Sequence, residues 1–293
     1  MFSQLSEFLN AKWLLHGEAI ASYVPVFLHL INGGRVDASI VDKLERDKFT
    51  PYVVNGQGAV LNSDYINLND PRIPEETVAV IPIMGIITGR GSQEIERKIQ
   101  MANDNPNIIS ILLLMNTPGG MVYYTDILAN CIKNSQTPIL AYVRNVCASA
   151  GMWIASAAQK VMVSSQLDEL GSIGVKCSIM DINSMLTSKL GINIWEIYAS
   201  KSTDKNGDIR QLMADGNQES IVASLDHVNE IFHQTIQDNL GIASNSDVFS
   251  GKVYYAQQAI SMGLAHEITS FNDAIKQTFE AGCVSTIKRQ LLT

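Results

Sequence analysis

Ser149 has the surroundings of a nucleophile in this sequence. It follows the apolar run PILAYVRN and opens an alanine-rich segment, and its neighbours Ala148, Ala150 and Gly151 are small. At a junction between a strand and a helix, the helix N-terminus stabilises an anion, and the next backbone N–H can hydrogen-bond to it. A serine at such a position is also a common helix N-cap, so the local pattern allows both roles.

The loop NTPGG, residues 116–120, is the second feature that could do chemistry. It ends the buried run IISILLLM, and its glycines Gly119 and Gly120 let the backbone approach a ligand with free N–H groups, as an oxyanion hole requires. A plain strand-to-helix turn explains the same residues. Two other kinds of site are disfavoured: no Gly-Lys-Ser/Thr follows the loop, as in a P-loop, and residues 147–151 lack the Gly-x-Ser-x-Gly elbow of α/β-hydrolases.

A nucleophilic serine needs a base, and the sequence offers histidines and lysines. His227 and His233 stand six residues apart in a helical segment, off the same-face spacing, and we interpret them as surface or boundary polarity. Burial lowers the pKa of a lysine and lets its neutral amine accept a serine proton. The loop YASKSTDKNGD carries Lys201 and Lys205, each of which could equally be a solvated surface charge.

Composition limits the remaining function classes. With 293 residues, 46% of them hydrophobic and 17% charged, the chain is long and apolar enough to bury a large core. A net charge of −8 without clustered lysine or arginine argues against a nucleic-acid partner. The four cysteines lack CxxC spacing and indicate reduced thiols, and we expect neither a metal nor a cofactor.

The N-terminal stretch WLLHGEAIASYVPVFLHLI is apolar but is interrupted by charged, histidine and proline residues, so it is not a convincing signal peptide or membrane anchor. Residues 1–75 are therefore interpreted as a helical N-terminal extension and linker. We expect a cytoplasmic protein.

From Thr77 onward, apolar runs alternate with amphipathic segments, which predicts βαβ units around a largely parallel sheet. We assign residues 76–280 to this α/β domain and 281–293 to a C-terminal tail. Within the domain, DINSMLTSKLG is predicted as a short helix, INIWEIYAS as a strand, and residues 208–240 as helical.

Five motifs in order, between Val78 and Phe279, resemble the signal peptide peptidase A family, the S49 serine peptidases. They are NTPGG, ASAGMWIASAAQKVMVSS, LGSIGV, the lysine-bearing loop, and FSGKVYYAQQAISMGLAHEI. The resemblance implies a ClpP/crotonase-like spiral of βαβ units, a Ser-Lys dyad and assembly into a homo-oligomer.

The resemblance also implies roles for individual residues. Ser149 matches the family's nucleophile, the glycine loop and Ala150 match its oxyanion hole, and Ser172 matches the serine that holds the lysine. In the family, the base lysine commonly follows a glycine with two residues between them. When that pattern is aligned on Ser200, Thr203 falls at the position of the base. We therefore take Lys205 as the base, with Lys201 as the alternative.

A helical extension before the peptidase core is similar to phage and prophage head-maturation peptidases of the protease C type. We expect a protease that processes capsid, scaffold or portal proteins, in the host cytoplasm or inside a procapsid. The alternatives are a cytoplasmic signal-peptide-peptidase-like protein that degrades peptides, a degenerate capsid or scaffold interaction module, and a crotonase-like acyl-CoA enzyme with a carboxylate base.

Overall fold

This computed structural model describes residues 13–15, 50–61, 67–179, 187–188, 191, 193 and 195–292. The strands are β1 (Trp13–Leu15), β2 (Tyr52–Val54), β3 (Thr77–Met84), β4 (Ile108–Thr117), β5 (Gly119–Met121), β6 (Ile139–Ala148), β7 (Val161–Val163), β8 (Glu169–Gly171), β9 (Val253–Tyr255) and β10 (Glu267–Ile268). The helices are α1 (Gly89–Asp104), α2 (Thr125–Lys133), α3 (Ala150–Ser156), α4 (Gly207–Asp215), α5 (Glu219–Leu240), α6 (Ala256–Ser261) and α7 (Phe271–Leu292), with a 3₁₀ turn at Asp247–Ser250.

The main sheet has the strand order β10-β7-β6-β4-β3-β2, and β8 pairs with the far end of β6 and with β9. The pairs β3–β4, β4–β6, β6–β7 and β7–β10 are parallel, whereas β2 and β9 pair antiparallel with their neighbours. The carboxyl ends of β4 and β6 therefore lie side by side, with Thr117 opposite Cys147. The predicted α/β class with a largely parallel sheet is confirmed.

Both faces of this sheet are covered, which explains the continuous apolar runs of β3, β4 and β6. One face packs with α1, α2, α3 and α5 in a large core that contains Trp153 and Phe232. The other face packs against α7 through Ala274 and Ile275. The helix that begins after Ser149 and the C-terminal helix thus lie on opposite sides of the sheet.

Several segments differ from the sequence-based expectation. Residues 195–199 form no strand, because their side chains find no sheet edge and stay largely exposed. The predicted helix over 208–240 is two helices, α4 and α5, because Gly216 ends α4 in a left-handed conformation (φ 77°). Most of the helix predicted over residues 181–191 lies outside the described residues.

The domain limits remain a prediction, and three elements bear on them. β1 is a short strand within the predicted helical extension, most of which lies outside the described residues. β2 lies in the same predicted extension, yet it pairs with β3 as an edge strand of the main sheet. α7 continues through residue 281, so the described chain has no structural break at the predicted start of the tail.

Candidate active site

Ser149 joins β6 to α3 in a backbone conformation that an L-residue rarely adopts. Its φ is 56° and its ψ is −116°, and its side chain makes no capping hydrogen bond to α3. The backbone N–H of Ser149 donates to the Gly171 carbonyl at 2.8 Å, which fixes this turn. Such a conformation costs on the order of 1–3 kcal/mol and persists only where the surroundings impose it. Ser149 therefore has the N-cap position without the N-cap hydrogen bond.

The Ser149 hydroxyl points to the segment that follows β8. Its Oγ lies 3.5 Å from the Gly174 carbonyl, and the residue is 1% exposed. This segment turns sharply at Ser172 (φ 53°), whose backbone N–H donates to the Lys252 carbonyl at 2.6 Å. Ser172, expected to orient the lysine, thus lies on the segment that contacts Ser149, and its role remains a prediction.

The glycine loop directs different backbone groups to different sides. The Gly119 N–H donates to Thr117 Oγ1 at 3.1 Å, and the Gly119 carbonyl and Met121 N–H bond to Ile87. Since backbone groups alternate along a strand, the N–H and carbonyl of Gly120 face the opposite edge of β5. A Cβ at Gly120 would lie 1.9 Å from the Ile87 carbonyl oxygen, so only glycine fits there.

Of the three predicted oxyanion donors, the Gly119 N–H is bonded to Thr117 Oγ1, and the Gly120 N–H faces the edge of β5 that pairs with β1. The N–H of Ala150 is the first of α3 and has no acceptor within the helix. The start of α3 lies against the end of β4, since a Cβ at Gly151 would be 2.6 Å from Thr117 Cγ2. The strand β1 pairs with the edge of β5, with Leu14 opposite Gly120.

The structure does not bring Lys201 or Lys205 to Ser149. Both lysines are exposed, and neither makes a hydrogen bond or ion pair with Ser149 in the part of the chain that the structure describes. They follow a segment with two strongly exposed apolar side chains, Trp195 (83% exposed) and Ile197 (92%). Lys205 lines a shallow concavity with Glu196 and Tyr198. Which lysine is the base remains a prediction.

Helix α5 packs on the helix that begins after Ser149. The Phe232 ring stacks on the Trp153 ring of α3 at 4.5 Å, which docks α5 on the serine-bearing helix. His233, interpreted above as surface or boundary polarity, is half-buried, and burial lowers its pKa. Asn229 and His233 are four residues apart and share a helix face, a spacing that could have indicated them.

Cys147 is a second potential nucleophile near Ser149, and its side chain is buried. Burial raises the pKa of the Cys147 thiol, two residues before Ser149, so it stays protonated and is not a competing nucleophile. Among the described residues, no group of histidine, cysteine, aspartate or glutamate side chains could hold a metal ion. No helix in the described ranges is long and apolar enough to cross a membrane.

The fold and this serine define an α/β protein with a nucleophile-like residue where β6 meets α3. Residues 132–284 match the model of peptidase family S49, and the chain belongs to that family. The match includes Ser149, Ser172, Lys201 and Lys205, whereas Gly119 and Gly120 precede it.

Two curated relatives are a phage protein and a bacterial protein. The chain is 28% identical over 273 residues to "Capsid assembly protease C" of Escherichia phage lambda, covering 87% of this chain and 61% of the relative. It is 26% identical over 193 residues to "Putative signal peptide peptidase SppA" of Enterococcus faecium, covering 61% of this chain and 52% of the relative. The chain thus spans less than two thirds of the length of either relative.

Two solved structures of the predicted fold family are also similar. A point mutant of ClpP1 from Listeria monocytogenes has a TM-score of 0.44 and 16% identity, covering 71% of this chain and 97% of that one. An enoyl-CoA hydratase/isomerase family member has a TM-score of 0.36 and 14% identity, covering 73% of this chain and 72% of that one.

Proposed function

We propose that this chain is a serine endopeptidase in which Ser149 is the nucleophile and a lysine of the 200–206 loop is the base. The observation that carries the proposal is the strained conformation of Ser149 at the start of α3, within the residues that match the family. This conformation turns the hydroxyl away from the helix N–H groups that a capping serine would satisfy. The first N–H of α3 is then available for an oxyanion beside it.

We further propose that the lysine acts on Ser149 of a second copy of the chain. Lys205, or alternatively Lys201, is exposed and does not contact Ser149 of its own chain in the described ranges. The neighbouring side chains Trp195 and Ile197 are apolar and strongly exposed, as residues are that pack against a partner. In a closed homo-oligomer, one subunit can present its loop to the next.

The reaction follows from these groups. The neutral lysine amine takes the proton of Ser149 Oγ while Oγ bonds to the carbonyl carbon of the substrate, and the N–H groups of Gly120 and Ala150 hydrogen-bond to the oxyanion. The ammonium then gives its proton to the leaving nitrogen as the C–N bond breaks. Water then attacks the acyl carbon and passes a proton to the amine, and the ammonium returns a proton to Ser149 Oγ as the C–O bond breaks and the acid leaves. Losing one oxyanion donor raises such a barrier by about 3–4 kcal/mol.

The proposed substrates are capsid or scaffold proteins. The support is the phage relative named a capsid assembly protease, whose similarity extends over 87% of this chain and thus beyond the family match. An extended peptide can add as a strand to the edge of β5 that Gly120 faces. Because β1 pairs with that edge, a substrate strand there would take the place of β1.

Complementation between two inactive variants tests both parts of the proposal. Ser149→Ala, Lys201→Ala and Lys205→Ala proteins are assayed alone and after mixing in pairs, by cleavage of fluorescein-labelled casein and of the proposed scaffold protein. If the lysine acts between subunits, mixing Ser149→Ala with the inactive lysine variant restores about a quarter of the parental activity, since random assembly pairs an intact serine with an intact lysine at that fraction of sites. The matched control is Lys276→Ala, an exposed lysine on α7, on the opposite side of the sheet.

Each failure identifies a different error. Undiminished cleavage by Ser149→Ala would show that Ser149 is not the nucleophile. Undiminished cleavage by both lysine variants would exclude a dyad of Ser149 with Lys201 or Lys205. Individually inactive variants that stay inactive when mixed would place serine and lysine in one chain. A folded parent that cleaves neither substrate would favour the interaction-module alternative.

A further inference from the structure

Three of the buried side-chain polar atoms that lack a hydrogen-bond partner among the described residues belong to α3 and α5, two helices that pack against each other. They are Trp153 Nε1, Asn229 Oδ1 and His233 Nε2. A buried polar atom without a partner costs about 1–3 kcal/mol, and such atoms in a native protein call for an explanation. Their position on and beside the serine-bearing helix points to a functional explanation.

The Asn229 and His233 side chains adjoin the segment that contacts Ser149. A Cβ added at Gly174 would lie 4.0 Å from Asn229 Oδ1, and the Gly174 carbonyl itself accepts from Ser149 Oγ. Burial lowers the pKa of His233, and a hydrogen bond with the backbone of Ile173, the residue before Gly174, opposes this with a smaller upward effect. Ser149 and the α5 pair therefore meet the same two-residue segment.

The chemistry of these atoms identifies what they lack. The Asn229 amide oxygen is an acceptor, and so is Nε2 of a neutral histidine whose other ring nitrogen donates to the backbone. The Gly174 carbonyl, which accepts from Ser149 Oγ and has a second lone pair, adds a third acceptor beside them. A lysine amine fits such a group, because a neutral amine has two N–H donors and, after taking a proton, three.

We infer that Asn229 and His233 are positioning residues that receive the amine of the base lysine. This inference rests on the proposed Ser-Lys function. With its N–H groups bonded to these acceptors, the amine directs its lone pair towards Ser149 Oγ and holds the ammonium formed by proton transfer. Helix α5 thereby does more than support α3, since it fixes where the incoming lysine stops.

Asn229→Asp tests the inference, because it preserves the shape of the side chain and replaces a neutral acceptor with an anionic one. An adjacent carboxylate stabilises an ammonium, so we expect the acid limb of the kcat/KM profile to move about one pH unit or more upward, with recovery at alkaline pH. Asn229→Leu, which removes the acceptor, should lower kcat at all pH values and leave KM unchanged. Both profiles are measured with fluorescein-labelled casein in the full chain.

Gln218→Glu is the matched control, since it makes the same charge change at the exposed N-cap of the same helix. Position 218 is about 16 Å along the helix from Asn229, beyond the screening distance of about 8 Å at physiological ionic strength. Other titratable side chains on the elements packed here include Asp226, His227, Glu230 and Asp238 on α5, Glu169 on β8, Lys176 after it, Asp247 in the 3₁₀ turn and Lys252 before β9. Their charges are the same in all variants.

An Asn229→Asp profile that coincides with that of the parent would overturn the inference, as would an equal displacement in Gln218→Glu. These outcomes are distinct from a failure of the proposed function, which is decided by the Ser149 and lysine variants alone. If Asn229→Asp fails to fold, a His233→Gln protein provides the second measurement. Glutamine keeps an acceptor, so its kcat should exceed that of His233→Leu at equal stability, and equal kcat values would count against the inference.

Discussion

The serine side and the lysine side of the proposed dyad are built in opposite ways. Ser149 lies at the end of a central strand, between the carboxyl end of β4 and the segment after β8, and its neighbours are buried. The 195–206 segment has no regular structure, and Trp195 and Ile197 are almost fully exposed. The comparison teaches that the chain fixes the position of Ser149 by its own contacts, whereas the side chains of Lys201 and Lys205 stay exposed.

The largest expected contrast between the two regions is in stability. Phe232→Ala removes the ring stacked on Trp153 and should lower the free energy of unfolding by about 3–5 kcal/mol. Trp195→Ala removes a larger side chain that is 83% exposed and should change the free energy of unfolding of the dilute monomer by less than about 0.5 kcal/mol. Denaturant titration of both variants measures the contrast, and similar losses would show that the lysine side is also held by its own chain.

Gly120→Ala tests the glycine loop on the serine side of the proposed dyad. Its methyl group would lie 1.9 Å from the Ile87 carbonyl oxygen, so β5 must shift, at a cost of about 1–3 kcal/mol. The displaced N–H should lower kcat by about 100-fold or more. Gly89→Ala is the control, because its Cβ meets only ordinary contacts at 3.6 Å. Casein cleavage and thermal unfolding check both effects, and a fully active Gly120→Ala would remove Gly120 from the oxyanion hole.

Ser149→Gly should stabilise the fold while abolishing cleavage. Glycine adopts positive φ without steric cost, so relief of strain at φ 56° should add about 1 kcal/mol to the free energy of unfolding. Ser149→Ala retains the strain and should show no such gain. Chemical denaturation of the two inactive variants decides the matter, and an equal or lower stability of Ser149→Gly would mean that the turn is not strained.

The smallest expected effect is a pH dependence from His233. Burial lowers its pKa in the folded state below the unfolded value of about 6.5, so the unfolded chain binds the proton first. The stability that neutral His233 contributes is therefore fully present above about pH 6.5 and is lost as the pH falls through the folded-state pKa. His233→Gln should lose less stability than the parent between pH 7 and pH 5 in urea titrations. His227→Gln, exposed on the same helix, should follow the parent.

Much of the fold could be predicted because its signals are local. The apolar runs of β3, β4 and β6 predicted strands covered on both faces, and the sheet confirms this. The strand predicted over INIWEIYAS is wrong over residues 195–199, because alternating apolar residues form a strand only where a sheet edge is available. The prediction of one helix over 208–240 did not include the break at Gly216, because the sequence does not distinguish a glycine at a helix C-cap from one within a helix.

The sequence by itself determined the family and the candidate nucleophile, since the order of five short motifs is written in the chain and the family match covers residues 132–284. Only the tertiary structure decided which edge of β5 each glycine N–H faces, why Ser149 makes no cap, and that Asn229 and His233 adjoin the segment that contacts Ser149. The physical reason is that these properties arise from contacts between distant segments. β1 pairs with the edge of β5 from about 100 residues away, β8 fixes the turn at Ser149, and Asn229 of α5 reaches Gly174 from 55 residues away.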